Sequence, residues 1–118
     1  MSITSKEIIT FWFEETDKSN WFVKSDQFDK LLIDKYSELH SRATKCELFE
    51  WRTTPEGSLA EIIILDQFSR NIFRGTPLAF AYDAMALTLS QEAISKDFDK
   101  DLTQIQRSFL YMPFMHSE

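Results

Sequence analysis

With 118 residues and 43% hydrophobic side chains, among them eleven Phe and three Trp, the chain has core material for one domain, residues 1–118, that buries roughly two thirds of its unfolded surface without disulfides or metals. Two Gly and three Pro are too few for a loop-rich β sandwich, and a formal net charge of −6 opposes nonspecific binding to nucleic acid or anionic membranes. A lone Cys46 excludes an internal disulfide framework, and the longest strictly aliphatic stretch, Ile62 to Leu65, is far short of the roughly twenty residues of a membrane span.

Read in chain order, Thr4 followed by Glu7 resembles a capping box, and Ile8, Phe11 and Trp12 then recur at helical spacing up to the polar turn Asp17 to Asn20. Trp21 and Phe22 lead into Ser25, an N-cap for a long amphipathic helix whose apolar face is Phe28, Leu31, Leu32, Tyr36, Leu39 and Ala43. Leu48, Phe49 and Trp51 are expected to plug the connection that follows. Thr54-Pro55 and Thr76-Pro77 are two copies of one start signal, a hydroxyl cap before a proline at the first helical position, where no donor is lost. The first predicts a helix from Pro55 to Arg74 that ends at Gly75. The second predicts one from Pro77 to about Ile94, apolar on nearly every side and therefore central. Asp97 to Lys100 reads as a turn, and Leu102, Ile105, Phe109 and Met112 mark a fifth helix that Pro113 stops or kinks. Five helices with short connections imply an all-α fold of antiparallel hairpins. The two Thr-Pro starts lie 22 residues apart, short of the roughly 34-residue tetratricopeptide period, so no regular repeat is supported.

The most informative segment lies between the two glycines. On a regular helix, Asp66, Gln67, Arg70, Asn71 and Arg74 fall within one sector of roughly 140°, opposite Leu65, Phe68 and Ile72. Apolar surroundings suggest that this polar stripe faces a partly enclosed space. Asp83, on the next predicted helix, needs a cation if it is buried, and Arg70, Arg74 and Arg107 are the candidates. Two readings compete. In one, the charges form an interior network that fixes helix packing. In the other, three arginines against Asp66 and Asp83 leave one positive charge over for a carboxylate or phosphate ligand, provided all five converge.

A second constellation, Tyr111, His116 and Glu118, lies in the final helix and could exchange protons near neutral pH. Set against this, His116 reads as an ordinary surface or capping histidine, and Ser117 beside it forms no dyad by adjacency. Two histidines and one cysteine show no zinc-ligand spacing, and nearby arginines disfavour a magnesium ion on Asp66, Asp83 or Glu118. No metal or cofactor is expected. Phe11, Trp12, Trp21 and Phe22 are read as core, with any exposed subset available to a partner. The opening MSITSKEIIT lacks the basic start and long apolar run of a secretion signal, which points to the cytoplasm.

Thr54 to Ala60, LDQFSRNIFRGTPLAFAYDAMAL from Leu65 to Leu87 and RSFLYMPFMHSE from Arg107 to Glu118 together resemble the bacterial family known as domain of unknown function 924. Trp21-Phe22 and Phe28-Asp29 extend the likeness over most of the chain. The resemblance implies an all-helical, tetratricopeptide-like superhelical fold and no established activity. Its characteristic polar residues match Asp66, Gln67, Arg70, Asn71, Arg74, Asp83, Arg107, His116 and Glu118. Ser69 stands where the family often has proline, which should make this helix more regular. Similar proteins continue past the His-Ser-Glu segment, so the chain reads as the N-terminal part of a longer family domain, with a face open to self-association.

The expectation is a ligand- or partner-binding helical module. In it Arg70, Arg74 and Arg107 hold an anionic group while Asp66 and Asp83 orient them. The alternatives are a hydrolase with Asp66 or His116 as general base, and a structural interaction protein whose polar cluster is only packing.

Overall fold

Hydroxyl side chains open most of the helices by accepting backbone N–H groups that have no partner inside the helix. In the computed structural model, which describes residues 2–117, Thr4 Oγ1 accepts from Glu7 N at 3.2 Å and opens α1 (Ser5–Thr10). Ser25 Oγ accepts from Phe28 N at 3.2 Å and opens α2 (Asp26–Thr44). Thr54 Oγ1 accepts from Gly57 N at 3.0 Å and opens α3 (Pro55–Ile63), where Pro55 needs no donor. Gly57 has room for no more than a hydrogen, because a Cβ there would collide with the Trp51 carbonyl.

The polar segment that follows is not a regular helix. A π turn over Ile64–Phe68 joins α3 to α4 (Ser69–Ile72), and the chain then turns through Gly75 at φ 84°. Ser69 does not regularise this stretch. Its hydroxyl donates back to the Leu65 carbonyl at 2.6 Å, a bond that favours bending. A second π turn, Phe11–Glu15, extends α1, and Thr16 closes it with both its backbone N–H and its hydroxyl on the Phe11 carbonyl.

Thr76-Pro77 starts only a short 3₁₀ turn, Pro77–Ala79. The long helix begins later, as α5 (Asp83–Ser95), with Asp83 as its first residue. A carboxylate at that position meets unpaired N–H groups and the positive end of the helix dipole, which favours starting the helix there and not at Pro77. Nor is α5 central: Ala86, Ser90 and Ala93 are its buried residues, whereas every residue from Gly57 to Ser69 is buried. The α3 to α4 rod is the core element. It packs against α1, α2, α5 and α6 (Gln104–His116), the last opened by a complete Thr103–Gln106 capping box. Pro113 does not end α6. It removes one N–H, yet the helix runs on to His116 with Pro113 buried. Among the described residues no strand forms and five helical units account for the fold, which is all-α.

Aromatic rings fill the space between these helices. Trp12 meets Phe109 edge-on at 5.8 Å, Tyr36 stacks on Phe68 at 5.3 Å, and Trp21 meets Phe109 at 4.9 Å. Three apolar residues assigned to the interior are instead exposed: Leu31 on the outer edge of α2, Phe49 in the connection, and Phe22 beside the buried Trp21. Two buried polar residues, His40 and Asp29, share the inner face of α2 with the apolar stripe. His40 Nε2 bonds Ser69 Oγ at 2.7 Å, and because that hydroxyl already donates to Leu65, the imidazole must donate here.

Burial holds the His40 ring below its ordinary histidine pKa. A histidine depressed in the folded state binds protons more readily when unfolded, so stability is whole above about pH 6.5 and falls as pH drops towards the folded value. The difference in unfolding free energy between wild type and His40→Gln, followed by urea titration from pH 7.5 to 5, should therefore shrink on acidification. Its slope should be at most about 1.4 kcal/mol per pH unit. A pH-independent difference would show that His40 does not titrate against the fold.

Candidate functional site

The π turn places Asp66 and Gln67 at the hub of the rod, with Arg70, Asn71 and Arg74 one to two turns further on. Asp66 is 1% exposed, and Arg70, His116 and Gln67 converge on it. Arg70 Nη1 donates to its Oδ1 at 2.9 Å and to its backbone carbonyl at 3.0 Å, and His116 Nδ1 reaches the same Oδ1 at 2.8 Å. Gln67 Nε2 lies 3.3 Å from Oδ2 and 3.2 Å from the Met112 sulfur. Burial pushes the Asp66 carboxyl above the ordinary carboxylate value and Asp83 adds to the push, while His116 and Arg70 pull it back.

The cation that Asp83 requires is Arg70, which grips it with two parallel bonds, Nη1 to Oδ1 at 3.0 Å and Nη2 to Oδ2 at 3.1 Å. Phe80, 60% exposed, lies against the same guanidinium at 5.2 Å. Arg74 does not join this group. It forks onto Asp29 of α2 through Nε at 2.6 Å and Nη2 at 3.2 Å, and Asn71 Nδ2 donates to the same carboxylate at 2.8 Å. The stripe thus splits into two clamps that share one helix. Arg107 makes no side-chain hydrogen bond or ion pair among the described residues, and Tyr111 donates to Asp99 at 2.7 Å in the turn before α6. Glu118 lies outside the described residues.

The charge count that left one cation over is therefore corrected. Two arginines, Arg70 and Arg74, face three carboxylates, Asp66, Asp83 and Asp29, so the clamps themselves carry no positive excess. Asp29 entered the sequence reading only through the family likeness of Phe28-Asp29, because a carboxylate in the first turn of a helix, here together with Asp26, reads as a dipole-complementing surface residue. The buried Glu61 was missed. It forms an independent two-bond pair with Arg52, both at 2.8 Å, on the far side of the rod.

The surface above the clamps gathers three cations, each already ion-paired: Arg70 with Asp66 and Asp83, Arg74 with Asp29, and Lys24 with Asp26 at 3.1 Å. A cleft of about 120 Å³ has as its floor Gln67, Arg70, Asn71 and Arg74, an i, i+3, i+4, i+7 stripe, and as its wall the five residues Asn20 to Lys24. Its lining holds Lys24, Arg70 and Arg74, the amides of Asn20, Gln67 and Asn71, and no carboxylate. Arg70 Nε and Arg74 Nη1 have no partner among the described residues. A larger cleft of about 230 Å³ near the N-terminus is lined by Lys35 and Arg42 together with a carboxylate, Glu38. Among the described residues no three His, Cys, Asp or Glu side chains gather as a metal site, and no helix is long and apolar enough to cross a membrane.

Comparison with known proteins was consistent with this fold. The model of a bacterial protein family of unknown function, DUF924, matches residues 8–118. A solved structure, the protein of unknown function ATU0120 from Agrobacterium tumefaciens, is 37% identical and superposes with a TM-score of 0.89 over 95% of this chain. The chain spans 63% of that protein's length. No curated protein matches the chain.

Arg70→Ala would leave Asp66 and Asp83 without their shared counter-charge and should cost about 3–5 kcal/mol by chemical denaturation. The loss should narrow as acid protonates the stranded Asp66 carboxyl, which burial already pushes above the ordinary carboxylate value. Asp66→Asn retains an acceptor and removes the charge that burial disfavours, so it should cost far less. Equal costs for the two variants would contradict the clamp.

Proposed function

The chain belongs to the bacterial protein family of unknown function DUF924, and for it we propose the role of a ligand-binding helical module whose cleft holds an anionic group. One observation carries this reading: three cations and three amides line the Asn20 to Arg74 cleft, and although each cation is ion-paired, Arg70 Nε and Arg74 Nη1 keep donors that no carboxylate among the described residues occupies. Asp66, Asp83 and Asp29 sit behind the arginines as orienting groups, holding each guanidinium so that less side-chain freedom is lost when a ligand binds. A carboxylate or phosphate fits the donors on offer, and the fork of an arginine matches either in two parallel bonds.

A second reading, a hydrolase with His116 as general base, has one geometric support. Asp66 at 2.8 Å from Nδ1 selects the tautomer in which Nε2 is the basic nitrogen. Asp66 itself is sealed from solvent, so of the two candidate bases only His116 suits proton exchange with a substrate. Turnover of a phosphate or carboxylic ester that is lost in His116→Gln would favour this reading.

The binding reading is tested by thermal shift against inorganic phosphate, short carboxylates and nucleotides, with wild type and Lys24→Gln. Lys24 is exposed on the rim, where it pairs with the likewise exposed Asp26 at 3.1 Å and takes no part in either clamp, so its loss reports on the ligand and not on the fold. An anion at about 100 times its dissociation constant should add roughly 2.7 kcal/mol to wild-type stability, with clearly weaker protection of Lys24→Gln. Indifference of both proteins to every anion would overturn the assignment.

A further inference from the structure

The wall of the cleft is as unusual as its floor. Trp21 is buried and anchored, its indole Nε1 donating to the Trp12 carbonyl at 3.1 Å and its ring packed edge-on against Phe109 at 4.9 Å. The next two residues are not buried with it: Phe22 is 72% and Val23 66% exposed, and both line the cleft beside Lys24, Arg70 and Arg74. The backbone beneath them is held in place. Asp17 caps the preceding turn at Ser19 N, and Val23 N bonds the Ser19 carbonyl at 2.9 Å. A rigid segment thus presents two large apolar side chains to water within reach of three cations. At about 120 Å³ the enclosed space is well below the roughly 300–1,000 Å³ of a pocket that swallows a whole small molecule. It has room for a head group, and the open rim has apolar surface for what the head group carries.

We infer that the ligand is amphipathic: a carboxylate or phosphate held by the unoccupied donors of Arg70 and Arg74 and the second amide hydrogen of Asn71, joined to a short apolar body that lies along Phe22 and Val23. This rests on the anion reading above and narrows it to a ligand class. Removing Phe22 and Val23 from water supplies the selectivity, because a bare inorganic anion covers neither.

The test is isothermal titration of the whole chain with inorganic phosphate and n-alkyl monophosphates of increasing length. It is repeated with the double variant Phe22→Ser, Val23→Ser and with an n-alkyl carboxylate series. Affinity should rise about fourfold for each added methylene over the first few, as expected for apolar surface leaving water, and then level off once the chain outgrows the wall. The double variant should bind inorganic phosphate as wild type does while losing the dependence on chain length. Equal affinity for bare and alkylated phosphate would overturn the amphipathic ligand and leave the anion site standing. A length dependence that survives in the double variant would overturn the wall. Absence of binding by every anion in both series would overturn the anion reading and this inference with it. Association with anionic lipid vesicles but not with soluble alkyl phosphates would replace the small ligand with a membrane surface.

Discussion

One guanidinium holds the molecule's polar centre together. Arg70 binds the carboxylate and the backbone carbonyl of Asp66 on its own rod and, with the rest of its fork, Asp83 at the start of α5. His116, one residue from the end of the described chain, closes on the same Asp66 oxygen and pins α6 despite the proline a turn earlier. Three helical units therefore meet at one buried carboxylate. Each ion lost hydration on burial, and the arrangement persists because no charge in it stands alone.

The π turn makes this convergence geometrically accessible. An i→i+5 turn adds a residue to the helix and widens it locally, which is why such turns recur at functional positions. Here it carries Asp66 and Gln67, so the carboxylate is buried within the rod while Gln67 joins Arg70, Asn71 and Arg74 in the cleft floor. Each cation of the cleft is backed by a carboxylate: Arg70 by Asp66 and Asp83, Arg74 by Asp29, and Lys24 by Asp26. Charges more than about 8 Å apart are largely screened at physiological salt, so an ion in the cleft is governed by the lining donors and the carboxylates bonded to them, and little by the overall charge of −6.

Much of this was readable from local sequence. The hydroxyl caps at Thr4, Ser25 and Thr54 act through residues three positions away, and the polar stripe from Asp66 to Arg74 needed only helical periodicity. The family resemblance read from the central block agrees with the match over residues 8–118. The failures have a common cause. Pro77 carries a valid start signal, but an interaction with Arg70 thirteen positions back shifts the helix start to Asp83. Pro113 carries a valid stop signal, but the contact of His116 with Asp66 outweighs it. Leu31, Phe49 and Phe22 are apolar by type, yet their exposure depends on neighbours that no local window contains.

By itself, then, the sequence determined the all-α class, the helix starts set by hydroxyl caps, and the identity of the polar residues on the central rod, because each of these is decided within one turn of chain. Only the tertiary structure decided which carboxylate each arginine meets. Asp29 lies 45 positions from Arg74 and His116 lies 50 from Asp66, and pairings over such separations are selected by how the apolar faces pack and not by any local preference. The same packing set three cations around one cleft and left Phe22 and Val23 on its rim.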